Sequence, residues 1–393
     1  MSEVSELDCS RLAQRLTAYA VLAHDPAVPG IAADYWEKSE THYRTVDGTL
    51  RTFIAKAPDA ERRYQEVLAS PTSTGPQHAL RESLTSLLEE SPADAEGLAG
   101  AVAEADQHIW IDYHLGTESG GDRTVGTAAA TEPAPSREPA EVRIVIPFRD
   151  RESGLRTRNL LACLQALEDQ EGGLAHRVTV VESDTEPRTR QQLEPLVDRY
   201  VFAPKEGLFN KAWAVNVGAV DAASDAPYLC VLDADILVDR AFVARNAARL
   251  REGGHGIHLP FRWSLSLDEA STRHAIGLRT SRGDADVPDA VLRGLLLREP
   301  PGGCVWLRTE IFHAVGGFDE RYEGWGGEDD DVIARLTGAA PLRRFDDQLL
   351  HLNHPRPEMT RDDGVPFNAG IEPLSWHSGF GYGDPGKFTP AKA

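Results

Sequence analysis

Val142-Arg-Ile-Val-Ile-Pro-Phe148 is a near-continuous apolar run, and such runs are typical of strands that are buried on both faces of a sheet. The pattern after it predicts helices over 155–167 and 209–220, and strands over 177–182, 228–232, 255–259 and 304–307. Strands that alternate with helices in this way predict an α/β fold built on a mainly parallel sheet. Ligands of such sheets bind beyond the carboxyl ends of the strands, so the residues that follow each strand are the first candidates for function.

The chain on the amino-terminal side of this run divides into two parts of different composition. Residues 1–115 carry apolar side chains at helical spacing, whereas 116–140 are rich in Gly, Ser, Thr, Pro and Ala. The second composition is typical of a flexible linker. We therefore predict a helical N-terminal region of unassigned role over 1–115, a linker over 116–140 and the α/β domain over 141–393.

Within the helical region, two segments carry the prediction. Ser10 is placed to cap a helix that contains Leu12 and Leu16. Residues 93–115 are Ala-rich and have apolar side chains at intervals that suit a further helix. The region has no combination of residue types that suggests catalysis, so its aromatic residues are assigned to packing.

Charge and cysteine content argue against several classes of protein. The 393 residues include 41 Lys and Arg against 62 Asp and Glu, and the net charge of −21 repels nucleic acid and anionic lipid surfaces. No apolar run reaches the length of a membrane span, and the beginning Met1-Ser-Glu-Val lacks a signal-peptide pattern, so we expect a cytoplasmic protein. The four cysteines are scattered without a CxxC pair, which argues against a disulfide framework or a structural zinc site.

Asp233-Ala-Asp235 follows the predicted strand over 228–232 directly. Two carboxylates separated by one small residue at a strand end can hold a hard divalent ion together with a diphosphate. The pattern alone is also that of solvated acids in a turn, because turns accept Asp freely.

Basic residues stand near two other predicted element ends. Arg149 and Arg151 follow the first strand, and planar guanidinium groups there could grip a phosphate or a base. Phe209-Asn-Lys-Ala212 opens a helix, where Lys211 could meet a phosphate with help from the helix N-terminus. Surface arginines and an ordinary lysine at a helix start are the alternative explanations.

Gly316-Gly-Phe-Asp-Glu-Arg-Tyr-Glu-Gly-Trp-Gly-Gly-Glu-Asp-Asp-Asp331 combines a glycine-rich turn, Trp325 and four consecutive acids ahead of an apolar-periodic segment. Acids at a helix start are stabilised by the positive end of the helix dipole, so Asp330 and Asp331 need no other explanation. A helix cap does not need the Trp, however. A large ring beside clustered carboxylates is typical of a sugar-binding or catalytic pocket.

His351-Leu-Asn-His354 follows another apolar stretch. Imidazole suits Mn or Zn better than Mg, so a His beside the Asp-x-Asp pair favours a transition ion. Each His taken singly is also an ordinary polar residue near a strand end.

The order of these motifs resembles that of the β-1,4-galactosyltransferase family, in its C-terminal galactosyltransferase domain. It is more loosely similar to polypeptide GalNAc-transferases and bacterial chondroitin-type polymerases. The matching segments lie within 142–356 and are Pro147-Phe-Arg-Asp-Arg151, Phe209-Asn-Lys-Ala212, Asn216-Val-Gly218, Asp233-Ala-Asp235, Gly302-Gly303, Gly316-Gly-Phe318 and Gly324-Trp-Gly-Gly-Glu-Asp-Asp-Asp331. The Trp-Gly-Gly-Glu-Asp-Asp-Asp run is the most specific of them.

The resemblance implies a GT-A fold and a metal-dependent, inverting transfer of a sugar from a UDP donor to an acceptor hydroxyl. Asp329 would be the catalytic base and Glu328 would bind acceptor hydroxyls. Adjacent acids raise one another's pKa, which helps one of them to act as a base near neutrality. The residues implied in donor binding are Pro147, Phe148, Arg149, Arg151, Phe209, Lys211, Asp233, Gly303, Trp325 and Gly327.

The implied metal is Mn²⁺, with Mg²⁺ as an alternative. Its ligands would be Asp235 and His354, with Asp233 beside them. His351 is a further candidate, because it stands where the family has a thioether ligand.

Several alternatives stay open at this point. Glu299-Pro300-Pro301 stands where the family has its donor-discriminating aromatic residue, so Gal, GalNAc, GlcNAc and Glc are all candidate sugars. The acceptor could be a glycan, a lipid-linked intermediate, a protein or a small molecule. Competing functions are a retaining transferase of the GalNAc-transferase type, a catalytically silent sugar- or nucleotide-binding module, and a metal-binding scaffold.

Overall fold

The computed structural model describes residues 8–31, 33–116, 140–151, 154–220, 226–281, 284, 286–355 and 357–389. Its contacts divide the chain into two compact units. One comprises Met1–Gly121 with Pro288–Glu299, and the other comprises Asp122–Val287 with Pro300–Ala393. The predicted boundary at 116–140 places Pro288–Glu299 in the α/β domain, whereas the contacts group this segment with the N-terminal residues. The predicted linker lies outside the described residues, apart from its two ends.

The first unit is largely helical, as the spacing of its apolar residues predicts. Its helices are α1 (Cys9–His24), α2 (Val28–Ile31), α3 (Ala33–Ile54), α4 (Pro58–Ala69), α5 (Thr74–Glu90) and α6 (Pro92–Asp106). Leu12 and Leu16 are buried in its core, as expected for the inner face of α1. The prediction that Ser10 caps α1 is wrong. The cap is Asp8, whose carboxylate accepts a hydrogen bond from the Arg11 amide at 2.7 Å, because the helix begins one residue before Ser10.

The helix predicted over 93–115 ends earlier than expected. After α6 the chain forms strand β1 (Ile111–His114), which pairs antiparallel with β9 (Gly294–Arg298). Ile111 and Tyr113 are of residue types that favour strands, and Leu295, opposite Tyr113, is buried in the same core. Local periodicity could not reveal this strand, because its partner lies nearly two hundred residues away in the sequence.

The second unit is built on a seven-stranded sheet. Its strands are β2 (Val142–Phe148), β3 (His176–Glu182), β4 (Arg199–Phe202), β5 (Tyr228–Leu232), β7 (Ile257–Leu259), β10 (Cys304–Arg308) and β11 (Leu342–Arg344), and their spatial order is β11-β7-β10-β5-β2-β3-β4. β2 runs parallel to β3 and β5, β3 to β4 and β7 to β11, whereas β10 is antiparallel to both of its neighbours. The predicted α/β fold with a mainly parallel sheet is confirmed.

Helices connect the strands of this unit. They are α7 (Leu155–Glu168), α8 (Arg190–Leu193), α9 (Lys211–Val220), α10 (Phe242–Glu252), α11 (Glu269–Ile276), α12 (Thr309–Ala314) and α13 (Glu328–Ala339). Helix α9 packs closely on β2, because a Cβ at Gly218 would lie 2.6 Å from a methyl group of Val145. This close packing fixes Lys211, the first residue of α9, relative to the strand ends.

Three short strands form a second, smaller group. They are β6 (Ile236–Leu237), β8 (Trp263–Leu267) and β12 (Leu349–His351). β12 runs parallel to β8 and antiparallel to β6, with His351 opposite Ile236. Because Ile236 follows Asp235 directly, this pairing places His351 next to the Asp-x-Asp pair.

The C-terminal segment, residues 357–389, has little regular structure and packs back onto the second unit. The Trp376 indole donates to the Gly316 carbonyl at 2.8 Å, and the Trp213 indole donates to the Asp384 carbonyl at 2.8 Å. These bonds hold the segment beside the glycine-rich stretch that begins at Gly316.

The cysteines and the helix lengths bear on two further expectations. All four cysteines are free, and the closest approach of Cys230 and Cys304 is 3.9 Å between their sulfur atoms on neighbouring strands. Across the described ranges, no helix has both the length and the apolar character that crossing a bilayer requires.

Candidate active site

The carboxyl ends of β2, β3 and β5 lie at one edge of the sheet, because these strands are parallel neighbours. Asp233 follows β5 there, and its amide donates to the Gly303 carbonyl at 2.9 Å. Gly303 immediately precedes β10, which starts where β5 ends because the two strands are antiparallel. The Asp-x-Asp pair and the Gly-Gly pair are therefore neighbours in space, although 67 residues of chain lie between Asp235 and Gly303.

Lys211 joins two carboxylates that come from different elements. Its ammonium lies 2.9 Å from Asp233 Oδ1 and 2.9 Å from Asp329 Oδ2. Burial acts to lower the pKa of Lys211, but the carboxylates of Asp233 and Asp329 outweigh it and raise that pKa above its ordinary value. Burial raises the pKa of Asp233 to about 6, against the opposing effect of Lys211. The predicted phosphate ligand Lys211, the first Asp of the pair and the predicted base thus form one ion-paired cluster.

Asp235 faces the two histidines instead. His354 Nε2 lies 2.9 Å from Asp235 Oδ2, and His351 Nε2 lies 3.6 Å from Asp235 Oδ1. The potential ligand atoms of these three residues all lie within 4.8 Å of one another. Asp235 is buried, and its Oδ1 has no hydrogen-bond partner. Burial acts to raise the pKa of Asp235, but His351 and His354 outweigh it and lower that pKa.

This donor set fits a divalent metal. A buried carboxylate oxygen without a hydrogen bond is costly unless a ligand satisfies it, and two imidazole nitrogens beside one carboxylate suit Mn or Zn. Asp233, which the sequence also suggested as a ligand, has its carboxylate on Lys211 rather than on the histidines.

Helix α13 presents the acidic run to the same place. Its N-cap is Gly327, whose φ of 94° is in the left-handed region, and a Cβ there would lie 2.7 Å from the Tyr322 ring. Burial, followed by the neighbouring Asp329 carboxylate, raises the pKa of Glu328 to about 7. The raised pKa expected for one of the adjacent acids therefore falls on Glu328. Trp325, in the loop that precedes the helix, is 45% exposed.

The two remaining acids of the run differ from one another. Asp330 is exposed, whereas Asp331 is 3% exposed. Asp331 accepts hydrogen bonds from Arg335 at 2.8 Å and from the Leu374 amide at 2.7 Å. Asp331 is thus more than a helix-start acid, since it ties α13 to the C-terminal segment.

The predicted donor-binding residues of the first strand lie near this edge but bond to the protein. Pro147 and Phe148 are buried within β2. Arg149 donates to the Gly207 carbonyl at 2.9 Å, and its guanidinium lies 5.2 Å from the centre of the Phe209 ring. Arg151 pairs with the carboxylate of Asp184 at 2.6 Å. The two arginines therefore order the loops after β3 and β4.

The sequence analysis missed three polar residues at the edge of the site, Glu182, Ser183 and Asp184. They are buried at the carboxyl end of β3, and Asp184 pairs with both Arg151 and Arg188. The signal was present, because three polar residues directly follow the apolar part of a predicted strand.

Comparison with known proteins matches two family models to residues that lie mostly in the second unit. The family model of glycosyl transferase family 2 matches residues 143–316, and a model described as the N-terminal domain of galactosyltransferase matches 297–354. β-1,4-Galactosyltransferase 4 of Homo sapiens is 29% identical over 46% of this chain and 44% of its own length. β-1,4-Galactosyltransferase 1 of Mus musculus is 27% identical over 69% of this chain and 52% of its own. The chain thus spans about half the length of the curated relatives it matches.

Among solved structures, the catalytic domain of Drosophila β-1,4-galactosyltransferase 7 is 21% identical. The match has a TM-score of 0.30 and covers 56% of this chain and 67% of that one.

The α/β fold with its site at the strand ends is consistent with the GT-A fold, and the matched family models make the chain similar to glycosyltransferases. Its resemblance is to the galactosyltransferases, and among the curated relatives to the β-1,4-galactosyltransferases.

Proposed function

We propose that the protein is a metal-dependent, inverting glycosyltransferase that moves a hexose from a UDP-sugar to an acceptor hydroxyl. The observation that carries the proposal is the cluster in which Lys211 joins Asp233 to Asp329, with Asp235 and His354 adjoining it. The names of the relatives support galactose as the first sugar to test, with GalNAc, GlcNAc and Glc as alternatives. The hydroxyl of a glycan, a lipid-linked intermediate, a protein or a small molecule would serve as acceptor.

Asp235, His351 and His354 would hold the metal, which we propose to be Mn²⁺ because imidazole ligands suit it better than Mg²⁺. When bound, the ion would supply positive charge that stabilises the departing diphosphate. Lys211 would add a second positive charge at the same edge, provided that its ammonium leaves one of its two carboxylate partners.

The chemical step needs a base on the side of the sugar opposite the diphosphate. The acceptor oxygen attacks the anomeric carbon, the bond from that carbon to the diphosphate oxygen breaks, and the hydroxyl proton passes to a carboxylate oxygen of Asp329. Glu328, beside it, would accept a hydrogen bond from the acceptor. Trp325, exposed in its glycine-flanked loop, would cover the sugar and limit the access of water.

Release of UDP tests this proposal directly. Wild-type protein with Mn²⁺ and a panel of UDP-sugars should release UDP, and a chelator should abolish the release. Asp329→Asn should lower kcat by about 10²- to 10⁴-fold, the usual contribution of a general base, while calorimetry still detects Mn²⁺-dependent binding of UDP. Asp330→Asn is the matched control, because it removes an exposed acid one position along the same helix.

Unchanged turnover by Asp329→Asn would refute the assignment of the base. The anomeric configuration of the product separates inversion from retention.

The ion pair between Lys211 and Asp329 favours a second candidate, a binding module without turnover, because the ammonium of Lys211 occupies the carboxylate that would have to accept the proton. Mn²⁺-dependent UDP binding, without UDP release from any donor and acceptor tried, would support that alternative.

A further inference from the structure

Asn368, in the C-terminal segment, holds the loop that carries Trp325 from both sides. Its Nδ2 donates to the carbonyl oxygens of Gly326 at 2.7 Å and Trp325 at 3.3 Å. Its Oδ1 accepts a hydrogen bond from the amide of Glu323 at 3.1 Å. One side-chain amide therefore bonds to the backbone of three of the four residues over 323–326.

The loop has few other means of holding its shape. Gly324, Gly326 and Gly327 all have positive φ values, of 75°, 93° and 94°, and residues 323–326 belong to neither a helix nor a strand. Its Gly324 amide donates to the Phe209 carbonyl at 2.8 Å. Trp325 is 45% exposed, so burial of the ring does not fix its position. Glycine-rich backbone loses much conformational entropy when it is ordered, and the bonds from Asn368 oppose that loss.

The C-terminal segment fastens the other end of the same stretch as well. The Leu374 amide donates to Asp331 Oδ1 at 2.7 Å, at the start of α13. Leu374 has a φ of 61°, and a residue with a side chain adopts this left-handed conformation only at an energetic cost. Next to Asn368, the Phe367 ring lies 3.3 Å from where a Cβ on Gly324 would stand. The C-terminal segment thus contacts the stretch 323–331 through several residues. Among them, the Asn368 side chain makes its hydrogen bonds to the loop.

We propose that Asn368 is a positioning residue, which fixes the backbone of the loop that carries Trp325 directly ahead of Glu328 and Asp329 in the chain. The inference rests on the proposed function in one respect, namely that Trp325 contacts the sugar. The hydrogen bonds between Asn368 and residues 323–326, called the Asn368 clamp below, do not depend on that function. Loss of the clamp should weaken binding of the UDP-sugar more than binding of UDP, because UDP lacks the sugar.

The test compares Asn368→Ala and Asn368→Asp with Asp363→Ala. The Asp variant keeps an oxygen for the Glu323 amide but loses both donor bonds. The control removes only a bond from the Val365 amide to the exposed Asp363 in the same segment. Hydrogen exchange of a peptide covering 323–327 reports the clamp without any need for activity.

We expect faster exchange over 323–327 in both Asn368 variants, and wild-type exchange in Asp363→Ala. The affinity for UDP, by calorimetry with Mn²⁺, should stay within about twofold of wild type. KM for the sugar donor should rise by about tenfold, equivalent to about 1.4 kcal/mol. The melting temperature should show that each variant is folded.

Unchanged exchange over 323–327 in Asn368→Ala would overturn the clamp. Faster exchange with unchanged KM would overturn its positioning role. A wild-type protein that turns over no donor would refute the proposed function instead. Binding would then test the role of Asn368. If Asn368→Ala weakens the binding of UDP-sugar and of UDP equally, or weakens neither, the inference is overturned.

Discussion

Asp329 lies directly against a glycine, and this contact limits what residue 302 can be. A Cβ added to Gly302 would stand 2.1 Å from Asp329 Oδ2 and 3.0 Å from its Cγ. Real Cβ atoms do not approach other atoms so closely, so the carboxylate would have to move. The Gly302-Gly303 pair thus does more than allow a turn, because it leaves space for the proposed base.

We therefore expect the substitution Gly302→Ala to displace the carboxylate of Asp329, the proposed base. A shift of about 1 Å in a reacting group can lower the rate by about 10²-fold. The variant should lower kcat by that order while it keeps the affinity for UDP and Mn²⁺, as steady-state kinetics and calorimetry would show.

The chain offers a matched control for this substitution. Gly338 lies within α13, and a Cβ there would meet no atom within 4 Å. Gly338→Ala should leave kcat unchanged and stabilise the helix by up to about 1 kcal/mol. Equal kinetic effects of the two substitutions would contradict the steric explanation.

At the residue scale, the sequence identified groups but not their partners. Motif order brought Asp235, His351 and His354 together as candidates, and the structure has them within reach of one ion. It could not show that Lys211 would bridge Asp233 and Asp329, because that contact depends on how α9 and α13 meet. Asn368 belongs to no motif, since a backbone clamp needs only one amide in the right place.

Strand β7 and helix α10 share a buried polar network whose charge state matters for stability. His258, fully buried, accepts from or donates to His255 at 3.2 Å and contacts Asn246 Oδ1 at 2.9 Å. Because an amide oxygen only accepts, His258 donates from Nε2 to Asn246. Burial, and then the neighbouring His255 and Arg249, lower the pKa of His258 to about 3.

This lowered pKa predicts acid sensitivity. In the unfolded chain His258 binds a proton below its ordinary pKa of 6.5, whereas the native protein does not until about pH 3. The unfolded state therefore holds more protons between these values, so native stability is full above pH 6.5 and falls as the pH decreases. Between pH 6.5 and 5 the loss should approach about 2 kcal/mol, at about 1.4 kcal/mol for each pH unit.

Urea unfolding at pH 7 and pH 5 checks the prediction. His258→Gln, which keeps a donor for Asn246 but cannot be protonated, should be less stable than wild type at pH 7 and should lose less stability on acidification. His78→Gln serves as the control, because His78 is 47% exposed. An identical pH dependence in wild type and His258→Gln would rule out His258 as the source.

At the element scale, continuous apolar runs were the reliable signal. The strand predicted over 228–232 has those bounds, and the strand predicted over 177–182 differs by one residue at its start. Such strands are buried on both faces, so their composition shows them without knowledge of their neighbours. Strand β1 was missed because four residues next to a helix carry too little pattern of their own.

At the scale of the whole molecule, the first unit completes its core with chain from far along the sequence. Leu295 of β9 is buried among the helices, and Leu297 packs against the same core. Arg293 donates to Gln77 of α5 at 2.8 Å. The sequence predicted a helical region that ends near residue 115, because composition changes there. It could not assign a strand beyond residue 287 to that region, since strand pairing at such separation has no local signature.

The inserted strand makes the stability of the helical unit testable with two fragments. One ends at Gly116, and in the other a Gly/Ser linker joins Gly116 to Pro288–Glu299. Burial of one Leu side chain contributes about 1.5–3 kcal/mol, and the strand also pairs the backbone of β1, so the second fragment should melt at a clearly higher temperature. Leu295→Asn in that fragment should remove most of the gain, because it puts an unpaired amide in the core, whereas substitution of the partly exposed Arg298 by Lys should remove little. If both fragments melt at the same temperature, the helices alone form the stable unit and β9 adds only a surface strand.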